Sequence, residues 1–342
     1  MKRVRVLVID DSPTMRAIII KALQADPRIE VVAQAVDAYS ARQAIRQLQP
    51  DVITLDIEMP SMDGLEFLTR LMRLHAMPVL MISGVTQRNV SASAKALELG
   101  ALDCIAKPTN QNPHSFEALP AKVLAASKAR VRSGTQQVAS TVLSRSKFVR
   151  SKVKETDLIA IGASMGGVDA LIEVLSTFPQ DCPATMIVQH MPQGFTQSLI
   201  KRLGRYCAAN VCEAERGAPV EPGHIYFASR SDRHLIVEEA AGLKCGVCES
   251  GPEHGHRPSV DVLFRSVAKA VGKRARGVIL TGMGVDGAAG LLEMRKAGAY
   301  TIGQDEKTST IYGMPKAAYD CGAVQKQVPL SRVSNELFTA AL

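Results

Sequence analysis

The chain has 342 residues, 46% of them hydrophobic and only 4% aromatic, long enough for two domains with ordinary cores. No apolar run approaches the roughly 18 residues of a membrane helix, and the basic, apolar opening Met1–Ile9 meets Asp10 and Asp11 too early for a signal peptide. Seven scattered cysteines, an odd number with no secretion signal, point to reduced thiols in a cytoplasmic protein.

Residues 4–9 form an apolar run broken only by Arg5, as expected of a strand buried on both faces of a parallel sheet. Similar runs follow at 29–36, 51–55, 78–82 and 103–105, separated by helical periodicity at about 14–25, 39–48, 64–75, 88–99 and 114–130. Five strand–helix units predict a doubly wound α/β domain, whose functional groups gather at the carboxyl ends of the strands. Asp10, Asp11, Asp56, Ser83 and Lys107 all fall there. Three converging carboxylates repel one another, and a hard divalent cation such as magnesium is the usual remedy; a nearby lysine can balance an added phosphoryl group. Taken singly, each aspartate reads equally as a turn or helix-cap residue.

The paired aspartates after the first strand, the stretch Leu55-Asp56-Ile57-Glu58-Met59-Pro60, Ser83 after the fourth strand and Lys107-Pro108 after the fifth resemble a response-regulator receiver domain over about residues 1–122. The resemblance implies a flavodoxin-like fold in which Asp56 accepts a phosphoryl group from a histidine kinase. It further implies that Asp10, Asp11, Asp56 and the Glu58 backbone hold Mg2+, that Ser83 and Lys107 read out the phosphate, and that the Lys107-Pro108 bond is cis.

The net charge of +8 is local. From Lys122 to Lys154 there are nine basic residues and no acidic ones, so the remaining 32 basic residues nearly balance 33 acidic ones. Residues 132–141 are polar and poor in large apolar groups, and 123–154 is predicted to be a flexible basic linker. Without interleaved aromatics or an adjacent helix-turn-helix pattern, it does not read as a nucleic-acid-binding segment.

Residues 155–342 are expected to form a second, Rossmann-like domain with a mainly parallel sheet. Apolar runs recur at 158–161, 184–189, 224–228, 233–238, 275–280 and 299–303, with helical patterns at about 166–176, 195–205, 259–271, 286–297 and 330–341. The first run breaks into Gly162-Ala163-Ser164-Met165-Gly166, which fits a G-x-S-x-G nucleophile elbow with a helix N-terminus behind it. A nucleophilic serine needs a base, and the base an orienting acid. His190 directly follows the run ending at Gln189, and Asp286 follows the run ending at Leu280. Three strands are thus predicted to deliver Ser164, His190 and Asp286 to one sheet edge. Two other patterns compete: 282–287 fits the dinucleotide fingerprint G-x-G-x-x-G, although Asp286 would repel a phosphate there, and Cys245 and Cys248 with His254 and His256 suggest zinc, although there is one C-x-x-C only and the stretch around the histidines reads as a loop.

The segments Ile161-to-Gly167, Val188-to-Pro192, the eleven residues from His256 and Leu280-to-Leu291 resemble the chemotaxis protein-glutamate methylesterase family, and a receiver, linker and catalytic domain in that order match its architecture. The resemblance implies hydrolysis of glutamate γ-methyl esters, and deamidation of certain glutamines, on cytoplasmic helices of methyl-accepting chemoreceptors. The backbone amides near Met165 and at Met283 are then expected to hold the oxyanion, with no cofactor for the ester chemistry and no insertion into a membrane. The family commonly carries threonine where this chain has Met165. It also implies that the unmodified receiver packs over the catalytic crevice until Asp56 is phosphorylated. A phosphorylation-controlled binding module without chemistry, and a nucleotide-dependent enzyme, are the competing expectations.

Overall fold

The computed structural model describes residues 2–59, 62–84, 87–110, 112–131, 157–191 and 194–339, so most of the predicted linker lies outside the described residues. The chain divides into two compact units, Met1–Ser140 and Thr141–Leu342.

The first unit is a parallel sheet of β1 (Val4–Ile9), β2 (Ile29–Ala35), β3 (Val52–Asp56), β4 (Val79–Ser83) and β5 (Asp103–Ala106) in the order β2-β1-β3-β4-β5. All residues of β3 and β4 are buried, which explains why apolar side chains dominate them. Helices α1 (Pro13–Gln24), α2 (Ala38–Leu48), α3 (Gly64–Leu74), α4 (Gln87–Glu98) and α5 (Leu119–Ala126) alternate with the strands. Ser12, Asp37 and Asp63 cap the first three, each side chain accepting an amide hydrogen bond from the first turn. The predicted helix over 114–130 is shorter than expected. Pro120 is tolerated only in a first turn, so the helix starts at Leu119, and its last turn carries the unit past residue 122 to Ala126. Lys107-Pro108 is not cis; the cis peptide among the described residues is Arg257-Pro258.

The second unit is built on seven parallel strands: β6 (Leu158–Ala163), β7 (Ala184–Gln189), β8 (Asn210–Glu213), β9 (His224–Phe227), β12 (Ala275–Ile279), β13 (Tyr300–Gln304) and β14 (Lys326–Val328). Their order is β14-β13-β12-β6-β7-β9-β8. The chain leaves β6 for β7 on one side and later returns to β12 on the other, so β6 borders the topological switch point, where ligand crevices form in such sheets. Helices α6 (Gly167–Leu175), α7 (Phe195–Leu203), α8 (Val260–Ala270), α9 (Ala288–Lys296), α10 (Met314–Asp320) and α11 (Leu330–Thr339) complete the unit.

One predicted strand behaves differently. The run at 233–238 is not in the parallel sheet: β10 (His234–Glu239) pairs with β11 (Leu243–Cys248) as a separate antiparallel ribbon. Only three residues join them, too few for a parallel crossover, and Ala241 and Gly242 turn the chain with positive φ values of 43° and 113°. Short strands β8 and β14 and helix α10 lacked a periodic signal of useful length.

Candidate active site

Register places the site. Ala163 at the end of β6 is opposite Gln189 at the end of β7, and Gly162 is opposite Ile279 at the end of β12. The ladder continues one step further, with His190 N donating to Ala163 O at 3.0 Å and Ser164 N to Thr281 O at 3.0 Å. Ser164, His190 and the 281–286 loop therefore leave three adjacent strands at one edge.

The elbow at Ser164 is held by its carbonyl oxygen, which accepts from Gly167 N and from Gln189 Nε2, both at 2.8 Å. Gly166 caps α6 with φ 74°, and a Cβ there would stand 2.5 Å from Thr310 Cβ. A Cβ on Gly282 would stand 2.8 Å from Ser164 Cβ, so the loop after β12 runs directly against the serine. Glycine is required at both positions because backbone and side chain converge too closely for anything larger. Thr281 Oγ1 ties the same loop to the elbow, 3.0 Å from Met165 O, and accepts Ile311 N at 2.9 Å.

His190 and Asp286 are nearly inaccessible, their side chains 6% and 1% exposed, with His190 Nε2 2.7 Å from Asp286 Oδ2. An ionised carboxylate can only accept, so Nε2 carries a proton, and in the neutral imidazole the lone pair is then on Nδ1. Three more donors converge on the acid: Val260 N on Oδ2 at 2.8 Å, and Asp261 N and Ser259 Oγ on Oδ1 at 2.9 and 2.8 Å. Val260 and Asp261 are the first residues of α8, whose amides have no partner within the helix. Asp286 thus fills the positive end of α8. Burial opposes its charge, but the His190 hydrogen bond and charge and the α8 amides outweigh that and hold the carboxyl well below its ordinary range.

The structure brings His190 and Asp286 into direct contact but does not place the Ser164 hydroxyl on His190. Nδ1 is buried and has no hydrogen-bond partner. Such contacts are often long before substrate arrives, and register puts the serine on the neighbouring strand end. Met165 and Met283 immediately follow Ser164 and Gly282, on either side of the same close approach.

Several supporting residues have roles the sequence does not show, among them His234, which ends no long apolar run and so reads only as a weaker candidate for the base. His234 is fully buried; its Nδ1 accepts Ser259 N at 3.0 Å and its Nε2 donates to Gly251 O at 3.0 Å, fixing Ser259 behind the acid. Ser259 also caps α8, its side chain accepting Val262 N. Gln189 looked like the last residue of a strand, and nothing in its spacing showed that its amide grips Ser164 O. The fingerprint at 282–287 belongs to this arrangement: the carboxylate of Asp286 is fully engaged by protein donors. Cys245 and Cys248 lie three apart on one strand, on opposite faces, and cannot chelate one ion.

In the first unit, Asp10, Asp11 and Asp56 offer oxygens within 4.8 Å of one another. Lys107 Nζ donates to Asp56 Oδ2 at 2.8 Å and pairs with Asp10 Oδ2 at 3.1 Å, yet that buried Asp10 oxygen makes no well-directed hydrogen bond. Burial pushes the Asp56 carboxyl up to about 6 against the pull of Lys107, and the Asp10 charge adds to the rise. Burial works against the charge on Lys107, but its bond to Asp56 prevails and raises its pKa. Ser83 is buried beyond Ile82, the partner of Asp56 in the ladder; its Oγ donates to Gly84 O at 3.0 Å and lies 3.1 Å from Ser93 Oγ.

The CheB methylesterase family matches residues 159–337, and the response regulator receiver domain family matches residues 6–114. A protein-glutamate methylesterase/protein-glutamine glutaminase of Agrobacterium fabrum is 51% identical over 97% of this chain and 95% of its own length. One from Caulobacter vibrioides is 50% identical over 100% and 99%. Among solved structures, the Thermotoga maritima CheB methylesterase catalytic domain superposes with a TM-score of 0.52 at 32% identity, covering 54% of this chain and 97% of that domain.

Proposed function

Because the chain belongs to the CheB methylesterase family and carries a response regulator receiver domain, we propose that it is a phosphorylation-regulated serine hydrolase with Ser164, His190 and Asp286 as its working residues. It demethylates glutamate γ-methyl esters, and deamidates certain glutamines, on chemoreceptors. The observation that carries the residue assignment is the 2.7 Å contact of buried Asp286 with His190 Nε2 beside the elbow serine. A pure binding module has no use for a buried imidazole whose second nitrogen is unpartnered.

In the proposed reaction His190 Nδ1 takes the Ser164 proton as Oγ attacks the ester carbonyl carbon, and Asp286 supports the resulting imidazolium. The backbone amides of Met165 and Met283 hold the oxyanion; losing one such donor typically costs about a hundredfold to a thousandfold. Collapse breaks the bond to methoxide, which takes the proton from Nδ1 and leaves as methanol. Water then attacks the acyl-enzyme, gives its proton to Nδ1, and the glutamate carboxylate departs as Ser164 is reprotonated. With glutamine the first leaving group is ammonia. A main-chain oxyanion site is indifferent to methionine at 165, whereas a side-chain hydroxyl would be missed.

The receiver supports control through Asp56, phosphorylated by a histidine kinase and read out by Ser83 and Lys107. Three clustered carboxylates, with a buried Asp10 oxygen that meets only the Lys107 ammonium, support Mg2+ binding by Asp10, Asp11, Asp56 and the Glu58 carbonyl. Bound Mg2+ would neutralise the carboxylates and the incoming phosphoryl oxygens. Swinging a regulatory equilibrium from about 1:99 to 99:1 takes about 5.5 kcal/mol of differential interaction. No helix among the described residues is long and apolar enough to cross a membrane, and the proposed action on chemoreceptors with a kinase donor supports a cytoplasmic setting. Methanol release from methylated receptor, with and without a phosphodonor, tests the proposal. Ser164→Ala should lower the rate by on the order of 10⁴-fold or more, and near-full activity in that variant would overturn it.

A further inference from the structure

His256 lies flat against the imidazole of His190, ring centroids 3.7 Å apart and planes 7° from parallel. The stack rests on a segment fixed at several points. Glu253 and His256 exchange both backbone hydrogen bonds, at 3.0 and 2.8 Å, around a turn in which His254 and Gly255 have φ values of 51° and 78°. Arg265 of α8 forks onto the Glu253 carboxylate, tying the turn to the helix whose first amides hold Asp286. On the other side Arg257 Nε donates to Ser231 O at 2.9 Å, and two residues later Ser259 is locked between His234 and Asp286. One continuous stretch, 253–261, thus supplies three of the four donors to the acid and a ring over the face of the base.

A flat ring held at Cβ and at one nitrogen can still rock about the line joining them, since the terminal torsion of histidine is broad. Rocking leaves the bond from Nε2 to Asp286 intact but swings Nδ1 away from the serine. A second ring stacked on its face stops that motion. We propose that His256 is a positioning residue that fixes the plane of the His190 imidazole, aiming Nδ1 at Ser164, and that it does so as an aromatic face. This inference rests on the triad assignment above.

The test compares His256→Ala and His256→Phe in the full-length, phosphodonor-activated protein, with Ser164→Ala alongside. Removing the face should lower kcat about tenfold with KM and thermal midpoint nearly unchanged, and should broaden the His190 Nε2 proton in NMR spectra. Phenylalanine keeps a ring of similar shape, so His256→Phe should recover kcat to within about threefold. Full activity in His256→Ala, a change in KM alone, or a phenylalanine variant as slow as the alanine variant would each overturn the inference. If Ser164→Ala itself remains active, the triad reading has failed rather than the role of His256.

Discussion

Replacing Asp286 by asparagine is the most demanding perturbation of the site, because all four groups that reach this carboxylate are donors. Oδ2 receives His190 Nε2 and Val260 N, and Oδ1 receives Asp261 N and Ser259 Oγ. An amide presents one oxygen and one NH2. If the NH2 faces His190, Nε2 must accept, the ring proton moves to Nδ1, and the base loses the lone pair that would take the serine proton. If it faces Ser259, the hydroxyl can rotate to accept but Asp261 N is stranded. Either way one buried backbone amide goes unpaired, at about 1–3 kcal/mol, which for a unit of this size lowers the thermal midpoint by roughly 2–12 °C. Loss of the acid in a serine triad costs about 10⁴-fold in kcat. Methanol release under phosphodonor activation measures the first effect and calorimetry the second. A variant within tenfold of the parent kcat, with unchanged melting, would refute both the role of Asp286 and the donor geometry.

Three further outcomes are expected. Gly282→Ala would push a methyl group to 2.8 Å from Ser164 Cβ and 2.2 Å from Met314 Sδ. It should therefore lose activity by at least an order of magnitude and lower the melting temperature, which parallel assays and melting curves would show. Burial raises the Asp56 carboxyl to about 6, so the proton competes with Mg2+ below that pH. Affinity measured by titration calorimetry should be flat above pH 7 and weaken by up to about tenfold for each unit below 6; a flat profile to pH 5 contradicts the raised pKa. Asp56→Asn should abolish stimulation by a phosphodonor while leaving basal methanol release in place, and a variant that is still stimulated would remove Asp56 as the acceptor.

Much of this molecule was readable because a parallel sheet advertises itself. Strands largely buried on both faces gave the mainly apolar runs at 4–9 and 184–189, and residues at strand carboxyl ends, such as Asp10, Ser164 and His190, were placed by topology alone. Asp286 was legible as the acid because it follows a buried strand, but not as the cap of α8, since its partners at 259–261 are some 25 residues away and no local pattern links them. His234 and Gln189 act through single long-range hydrogen bonds, which leave no periodicity. The run at 233–238 misled because apolar alternation does not distinguish a parallel strand from half of a ribbon, and only the three-residue connection decides. Nor did spacing show that His190 would engage Asp286 while leaving its second nitrogen unpartnered.

The central claim is that Ser164 is a nucleophile activated by His190, and labelling with a serine-directed fluorophosphonate followed by peptide mass spectrometry addresses it most directly. One adduct, on the peptide containing Ser164, is expected, its rate of formation falling by on the order of 10³-fold or more in His190→Ala. An adduct on another residue, or an undiminished rate without His190, would contradict the account.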